Sequence, residues 1–439
     1  MTIQAPAPGD PLGPELLKAI FLERISLTGT VGKDGITPQA FGKNLDAEVQ
    51  SLAAKAVSGE YRFTQYKQKL ILKGANKPPR EISIATVRDR VVLRAITNFL
   101  VSVFSDRRIV PAHYIVSEIA EAIQHLDDEY SFVQIDIRDF YPTVNHDLLI
   151  EQIGRRVKSD VIIDLVKKAI QTNTGPKGPA RNVGIPQGLS ISNILSSIYM
   201  TRFDDLMQKK GSYYRYVDDI VTICKTKTAK RKLGYITQKL NDIGLTCHEP
   251  KANSKTKICK LSVGIDYLGY SIRPGYISVR ASSYKRMMDN IMAVISAARH
   301  TSNHAKAIAR INIRISGCIF DGRRMGWMFF FSMTQDIRQL QRLDDFVLSA
   351  WTKAGLDKFG TPKRFVKAYY EIRYRFDRTK YIPKFDEYDI DQKSKLIADI
   401  LNKSLAEIQT WSVESIERKF LQLVKKEVSK LEQDVTPIS

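Results

Sequence analysis

The chain has 439 residues, 43% hydrophobic and 26% charged, a profile that excludes a disordered or fibrous protein and leaves room for about two or three globular domains. Lysine and arginine total 68 against 47 acidic residues, a net charge of +21 that favours a polyanionic partner, nucleic acid before an anionic membrane surface. No apolar run approaches the roughly 18 residues that span a bilayer, so no membrane-inserted segment is expected.

Residues 1–14 are Pro-rich and lack the basic n-region and apolar h-region of a signal peptide, so a cytoplasmic location is expected. The four cysteines, Cys224, Cys247, Cys259 and Cys318, form no CxxC pair, which argues against a zinc site and fits packing roles in a reducing compartment. Residues 15–130 show helical patterns broken by Gly- and Pro-rich loops. Residues 131–280 alternate short strands with helices, and 281–439 read as mainly helical.

The middle region carries the strand signals. In 132–137 (FVQIDI), Val133, Ile135 and Ile137 share one face by period two, and Gln134 and Asp136 point the other way. Pro142 is expected to stop the strand, and Asn145 to cap a helix through Leu148, Leu149 and Ile153. Residues 184–188 (GIPQG) form a turn that opens a helix with Ser190, Ser192, Ser196 and Ser197 among apolar residues. Residues 213–216 and 220–224 are β-prone runs with Val217, Asp218 and Asp219 between them, a hairpin with carboxylates at its tip. Farther on, Leu340, Leu343, Phe346, Val347 and Trp351 recur at helical spacing, and Ser404 with Glu407 suggests a capping box.

Nucleotidyl transfer calls for metal more than for acid–base side chains. Two Mg²⁺ ions about 3.5–4 Å apart clamp the attacking hydroxyl and the leaving pyrophosphate, and Mg²⁺ prefers one or two carboxylates plus phosphate oxygens. A strand-end Asp facing a hairpin with one or two more supplies those ligands, as Asp136 and Asp218-Asp219 do. Alone, a strand Asp is most often a surface residue, and Asp-Asp in a hairpin is ordinary turn chemistry. Their order, and what lies between them, carries the argument.

In that order the motifs resemble those of the reverse transcriptases. Residues 136–141 (DIRDFY) look like the first palm motif, 186–188 (PQG) the second and 216–219 (YVDD) the third. Residues 245–251 and 267–270 (YLGY) look like the fourth motif and the primer grip. Residues 32–37 (GKDGIT), 73–80 and Asp89-Arg90 resemble the N-terminal blocks of the group II intron and bacterial branch. The resemblance covers about residues 25 to 275. It implies an α+β right-hand polymerase. An N-terminal extension (1–24) would precede fingers (25–130) and a palm with an antiparallel sheet flanked by helices (131–280). A helical thumb-like and C-terminal region (281–439) would follow.

The resemblance also implies roles. Asp136, Asp218 and Asp219, with the Ile137 carbonyl, would hold two Mg²⁺ ions, with Mn²⁺ as a substitute. Asp139, Phe140, Gln187 and Gly188 would line the nucleotide and template. Tyr141 occupies the position that excludes a ribose 2′-hydroxyl. Lys73 and Arg80 would grip the triphosphate, unless they belong to a solvated finger surface. Lys251 would be the general acid for pyrophosphate, although Lys255 fits the pattern almost as well. Tyr267, Leu268 and Gly269 would form the primer grip.

The C-terminal part lacks the spaced carboxylates of an RNase H domain and the Cys/His cluster of a mobile-intron endonuclease. Retron signatures are missing as well. Residues 184–193 (GIPQGLSISN), 215–219 (RYVDD) and 326–332 (GWMFFFS) look instead like the abortive-infection and "unknown group" bacterial enzymes. Those are associated with antiphage defence. The implied partners are dNTPs, a DNA product and an RNA template, with a cognate non-coding RNA as candidate. A second reverse transcriptase subunit or a homo-oligomer would fit such systems. Rival readings are a reverse transcriptase of a mobile element, an RNA-dependent RNA polymerase and a catalytically silent RNA-binding scaffold. Tyr141 and the PQG segment disfavour the RNA polymerase, and the three retained aspartates disfavour the scaffold. Within residues 362–385, Lys363, Arg364, Lys367, Arg373, Arg375, Arg378 and Lys380 interleave with Tyr369, Tyr370, Tyr374, Phe376 and Tyr381. The mixture suits either nucleic acid or a helix with aromatics inward and charges outward.

Overall fold

A computed structural model of the chain describes residues 11–72, 78–176, 181–250 and 254–435. The fold is α+β, and its backbone contacts divide it into two compact units. One comprises Met1–Val110 with Asp128–Lys260, the other Pro111–Asp127 with Leu261–Ser439. No helix among the described residues is long and apolar enough to cross a membrane.

The first unit opens with helices and a two-stranded ribbon, β1 (Lys67–Ile71) against β2 (Arg80–Ile84). Its centre is a five-stranded antiparallel sheet. The middle strand, β3 (Tyr130–Arg138), pairs on one side with β5 (Asp219–Lys225), which continues to β4 (Tyr213–Tyr216). On its other side β3 pairs with β6 (Thr246–Cys247) and β7 (Lys257–Lys260). The period-two alternation of β3 is present, yet both faces are covered. Val133 and Ile135 are buried, and so are Gln134 and Asp136. Ile135→Ala would cost about 2–5 kcal/mol, because Ile135 is fully buried in this core.

Local signals act largely as expected, with instructive differences. Asn145 caps the helix His146–Gly154, its Oδ1 accepting from the Leu148 amide at 3.0 Å. The strand before it ends earlier than Pro142. Asp139 turns the chain with φ 48°, and Pro142 lies inside a short helix, Phe140–Thr143. Proline is tolerated there because its missing N–H falls in the first turn, where it would be unsatisfied anyway. The β4–β5 turn is also tighter than expected. It holds Val217 and Asp218 alone, and Asp219 is already a strand residue opposite Tyr216.

In the second unit, β8 (Ile265–Tyr267), β9 (Tyr270–Arg273) and β10 (Tyr276–Val279) form a meander, and the helix Ala112–Ile123 packs on β9. The rest is mainly helical. The periodic run at 340–351 lies in Ile337–Lys353, which buries Leu340, Leu343, Val347 and Trp351. Ser404 caps Leu405–Gln409 through the Glu407 amide at 3.1 Å. The reciprocal capping box is elsewhere, between Asp389 and Gln392. The long helix Val413–Val435 is fastened to His304–Ser316 by Arg310–Glu427 and Arg314–Asp434 ion pairs, both at 2.9 Å. All four cysteines are free thiols.

Candidate active site

The site begins with register. In the antiparallel β3–β5 pair, Asp136 stands directly opposite Asp219. Asp218 occupies the hairpin tip, and its carbonyl accepts the Ile137 amide at 3.1 Å, which ties the tip to the end of β3. The Asp136 backbone is fixed on both sides. Its amide donates to Thr256 Oγ1 at 3.2 Å, and its carbonyl accepts from the His248 amide at 3.0 Å.

The tip is held against its own strain. Val217 has φ 57°, a left-handed conformation that costs a β-branched residue about 1–3 kcal/mol. Arg215 donates to the Val217 carbonyl at 2.8 Å. The guanidinium is in turn gripped in bidentate fashion by Asp204, which also accepts from Tyr213 Oη at 2.7 Å. A planar fork on a carboxylate is a rigid clamp.

Three carboxylates now share one small volume. Burial, then the charges of Asp218 and Asp136, push Asp219 up to about 8, and it is hydrogen-bonded to Asp136. Burial and Asp136 raise Asp218 as well. The cations that oppose this are Lys255, whose Nζ lies 3.2 Å from Asp136 Oδ1, and Arg80, whose charge acts on Asp218. His248 Nε2 lies 3.3 Å from Asp136 Oδ2. Among the described residues no group of three or more His, Cys, Asp or Glu is arranged to cage a metal by itself. Crowded carboxylate oxygens short of positive charge fit Mg²⁺, which takes one or two such ligands and completes its shell with phosphate and water.

The neighbouring residues are positioned by backbone bonds. The Ile185 amide donates to the Tyr141 carbonyl and the Gly184 amide to the Val144 carbonyl, both at 2.7 Å. Tyr141 is half-buried and donates to Asn193 Oδ1 at 2.8 Å, and the Asp218 charge reaches it. The Gln187 carbonyl accepts from the Ser83 amide at 2.7 Å, which docks the 184–188 turn on β2. Gly188 has φ 95°, and a Cβ there would come within 2.6 Å of Ile82 Cγ2. Only glycine permits that approach.

Asp136, Asp218, Asp219, Arg80 and Tyr141 therefore interact within the first unit. Ile137 is buried at the same strand end, and Asp139 is exposed. The Phe140 side chain enters the core, so its backbone alone is available to a substrate. Lys73 and Lys251 lie outside the described residues. Tyr267, Leu268 and Gly269 belong to the second unit, where Leu268 and Gly269 form the β8–β9 turn with φ 49° and 85°. Sequence reasoning missed His248, Thr256, Asn193 and the Asp204 clamp. His248 and Asn193 fall inside the stretches 245–251 and 184–193 that carried the resemblance, and Arg215 precedes the hairpin, but nothing local assigned these side chains their contacts.

The family model described as reverse transcriptase (RNA-dependent DNA polymerase) matches residues 71–272. Protein YkfC of Escherichia coli K12 is 23% identical over 291 residues, 55% of this chain and 76% of that protein. The putative COX1/OXI3 intron 1 protein of Saccharomyces cerevisiae is 25% identical over 177 residues, 38% of this chain and 21% of that protein. The uncharacterized 91 kDa protein in the cob intron of Schizosaccharomyces pombe is 27% identical, over 44% of this chain and 24% of that protein. The chain thus spans about a quarter or less of the two intron proteins. Among solved structures, telomerase from Candida albicans with a fragment of telomeric RNA superposes at TM-score 0.41 and 12% identity, over 89% of this chain and 69% of that one.

Proposed function

We propose that this chain, an RNA-directed DNA polymerase by the reverse transcriptase domain at 71–272, copies a dedicated RNA template with Asp136, Asp218 and Asp219 as its metal ligands. The observation that carries the residue assignment is the register of Asp136 against Asp219, with Asp218 at the adjoining tip. Two Mg²⁺ ions, or Mn²⁺ in their place, would be held by these carboxylates and the Ile137 carbonyl. When bound they would stabilise charge on the attacking and leaving oxygens.

The side chains do the rest. Arg80, whose charge already acts on Asp218, takes the triphosphate. Tyr141, braced by Asn193, lies under the sugar and rejects a ribose. Gln187 and Gly188 hold the nucleotide and template against β2, beside the exposed Asp139 and the Phe140 backbone. Lys255, whose Nζ lies 3.2 Å from Asp136 Oδ1, would be the general acid for pyrophosphate, with Lys251 as the alternative. Lys73 would assist at the triphosphate, and Tyr267, Leu268 and Gly269 would hold the primer. In domain terms, residues 25–130 act as fingers, 131–280 as palm and 281–439 as a thumb-like and C-terminal region.

We also assign the chain to the abortive-infection and "unknown group" class, acting in the cytoplasm in antiphage defence with a partner subunit or a second copy. The support is the resemblance of 184–193 and 215–219. Residues 326–332 add less, because Trp327 and Phe331 there are core residues.

The test is direct. Purified protein, Mg²⁺, a primed RNA template and labelled dNTPs or NTPs should give dNTP incorporation. Incorporation of neither would favour a silent scaffold. Sequencing the nucleic acid that co-purifies identifies the template.

A further inference from the structure

Residues 362–385 lie outside the polymerase domain, and the structure resolves how their aromatics divide. In the helix Phe365–Tyr374, Phe365, Ala368 and Tyr369 face inward, and Tyr369 Oη donates to the Thr334 carbonyl at 3.1 Å. Core packing therefore accounts for Phe365 and Tyr369. It does not account for Tyr370 and Tyr374, which are 48% and 67% exposed. Spaced four apart on one helix face, their rings stack on each other with centroids 5.8 Å apart and planes 30° apart.

The surroundings of this pair are cationic. Arg373 lies over the Tyr374 ring at 6.0 Å, and Lys363 and Lys367 lie over the Tyr381 ring at 4.9 and 4.8 Å. A cleft of about 830 Å³ is lined by Lys367, Arg375, Arg378 and Lys380 with Tyr374 and Tyr381, its acidic residues being Glu371 and Asp377. Arg375, Arg378 and Lys380 make no ion pair with any described residue. Burial, and then the charge of Lys367, press Lys363 down to about 8.

We propose that the exposed Tyr370–Tyr374 stack and the cleft beside it form a second nucleic-acid site that binds single-stranded RNA or DNA. Bases continue the tyrosine stack, and Arg375, Arg378 and Lys380 meet the phosphates. Stacking requires an unpaired base with a free face, which a duplex does not offer. Protein interfaces are depleted in lysine at their centres, and the exposed side chains of this helix face are two tyrosines beside cations rather than the aliphatic face a bilayer takes. Both alternatives therefore fit less well.

The full-length protein should be irradiated with oligo-U or oligo-dT carrying 5-iodouracil, without Mg²⁺ or dNTPs, and digested. Adducts are expected on the peptide holding Tyr370 and Tyr374. The mapping separates this site from anything bound at 71–272, so the proposal stands or falls apart from the polymerase reading. In a binding titration Tyr370→Ala/Tyr374→Ala should weaken the single strand about tenfold, whereas Tyr370→Phe/Tyr374→Phe should bind as the unmodified protein does. Preference for oligo-U marks a template-side role, and preference for oligo-dT a product-side role. The proposal is overturned if adducts map only elsewhere, or if the alanine variant binds unchanged. Equal weakening toward single strand, duplex and heparin also overturns it, as does a dependence on the pair confined to anionic vesicles.

Discussion

Lys255 Nζ lies 3.2 Å from Asp136 Oδ1, so a lysine stands beside one of the three clustered carboxylates. Lys255 offsets part of the repulsion among Asp136, Asp218 and Asp219 and stands at the edge of the site. If Lys255 is the general acid for pyrophosphate, Lys255→Ala should lower the rate of single-nucleotide incorporation about a hundredfold, with primer–template affinity unchanged. Lys255→Arg should keep the charge yet recover little of the rate, because arginine does not give up its proton. An unchanged rate in Lys255→Ala would leave the lysine a shielding role alone.

Asp219→Asn should abolish DNA synthesis and, without metal, stabilise the fold. The carboxylate is crowded by burial and by Asp218 and Asp136, so removing its charge relieves repulsion while keeping its shape. The metal-free variant should melt a few degrees above the unmodified protein and show no further rise with Mg²⁺. The unmodified protein should gain stability as Mg²⁺ is added. A variant that melts lower without metal would contradict the crowding.

The carboxylates were legible because strand periodicity is local. Val133, Ile135 and Ile137 mark β3 and put Asp136 at its end, while the link to Asp218-Asp219 came from the order of the motifs along the chain. The turn was misplaced by one residue for the same reason. Nothing local distinguishes Asp219 in a loop from Asp219 in a strand; its pairing with Tyr216 and Asp136 decides that. Pro142 is a strong local signal, but Asp139 turns the chain first. That His248 and Thr256 reach Asp136 was illegible. They reach Asp136 across more than 100 residues from a stretch with no periodic pattern. The segment at 362–385 needed solvent exposure to separate Tyr369 from Tyr370, which sequence does not contain.

Asp89 gives a pH dependence of stability. It is buried and accepts from Tyr61 Oη at 2.8 Å, Thr86 Oγ1 at 2.8 Å and the Thr64 amide at 3.1 Å, yet burial raises it to about 6. A raised carboxyl binds its proton more tightly in the folded state. Its contribution is fully present below about 4 and is lost as pH rises through about 6. From pH 4 to 6.5 the unmodified protein should lose on the order of 2 kcal/mol relative to Asp89→Asn. Urea midpoints measured across that range check it. Parallel curves would mean that the three donors hold Asp89 near its ordinary value.

Sugar selection rests on Tyr141. The ring is half-buried beside the carboxylates, and its hydroxyl donates to Asn193 Oδ1 at 2.8 Å on the helix Ser192–Tyr199. That bond fixes the ring from the side of the core, so its free edge can act as a wall. A deoxyribose would pack against it, and a ribose 2′-hydroxyl would collide. Tyr141→Ala should therefore raise ribonucleotide incorporation relative to dNTP by about tenfold or more, the scale of a lost steric contact. Tyr141→Phe keeps the ring and loses only the Asn193 bond, so its discrimination should stay close to that of the unmodified enzyme. Because Tyr141 also packs on the core, each variant's melting temperature must be read with its kinetics. Loss of activity with both sugars together, tracking loss of stability, would assign Tyr141 to packing. A folded, active Tyr141→Ala enzyme that still rejects ribonucleotides as strongly would move the wall to another residue.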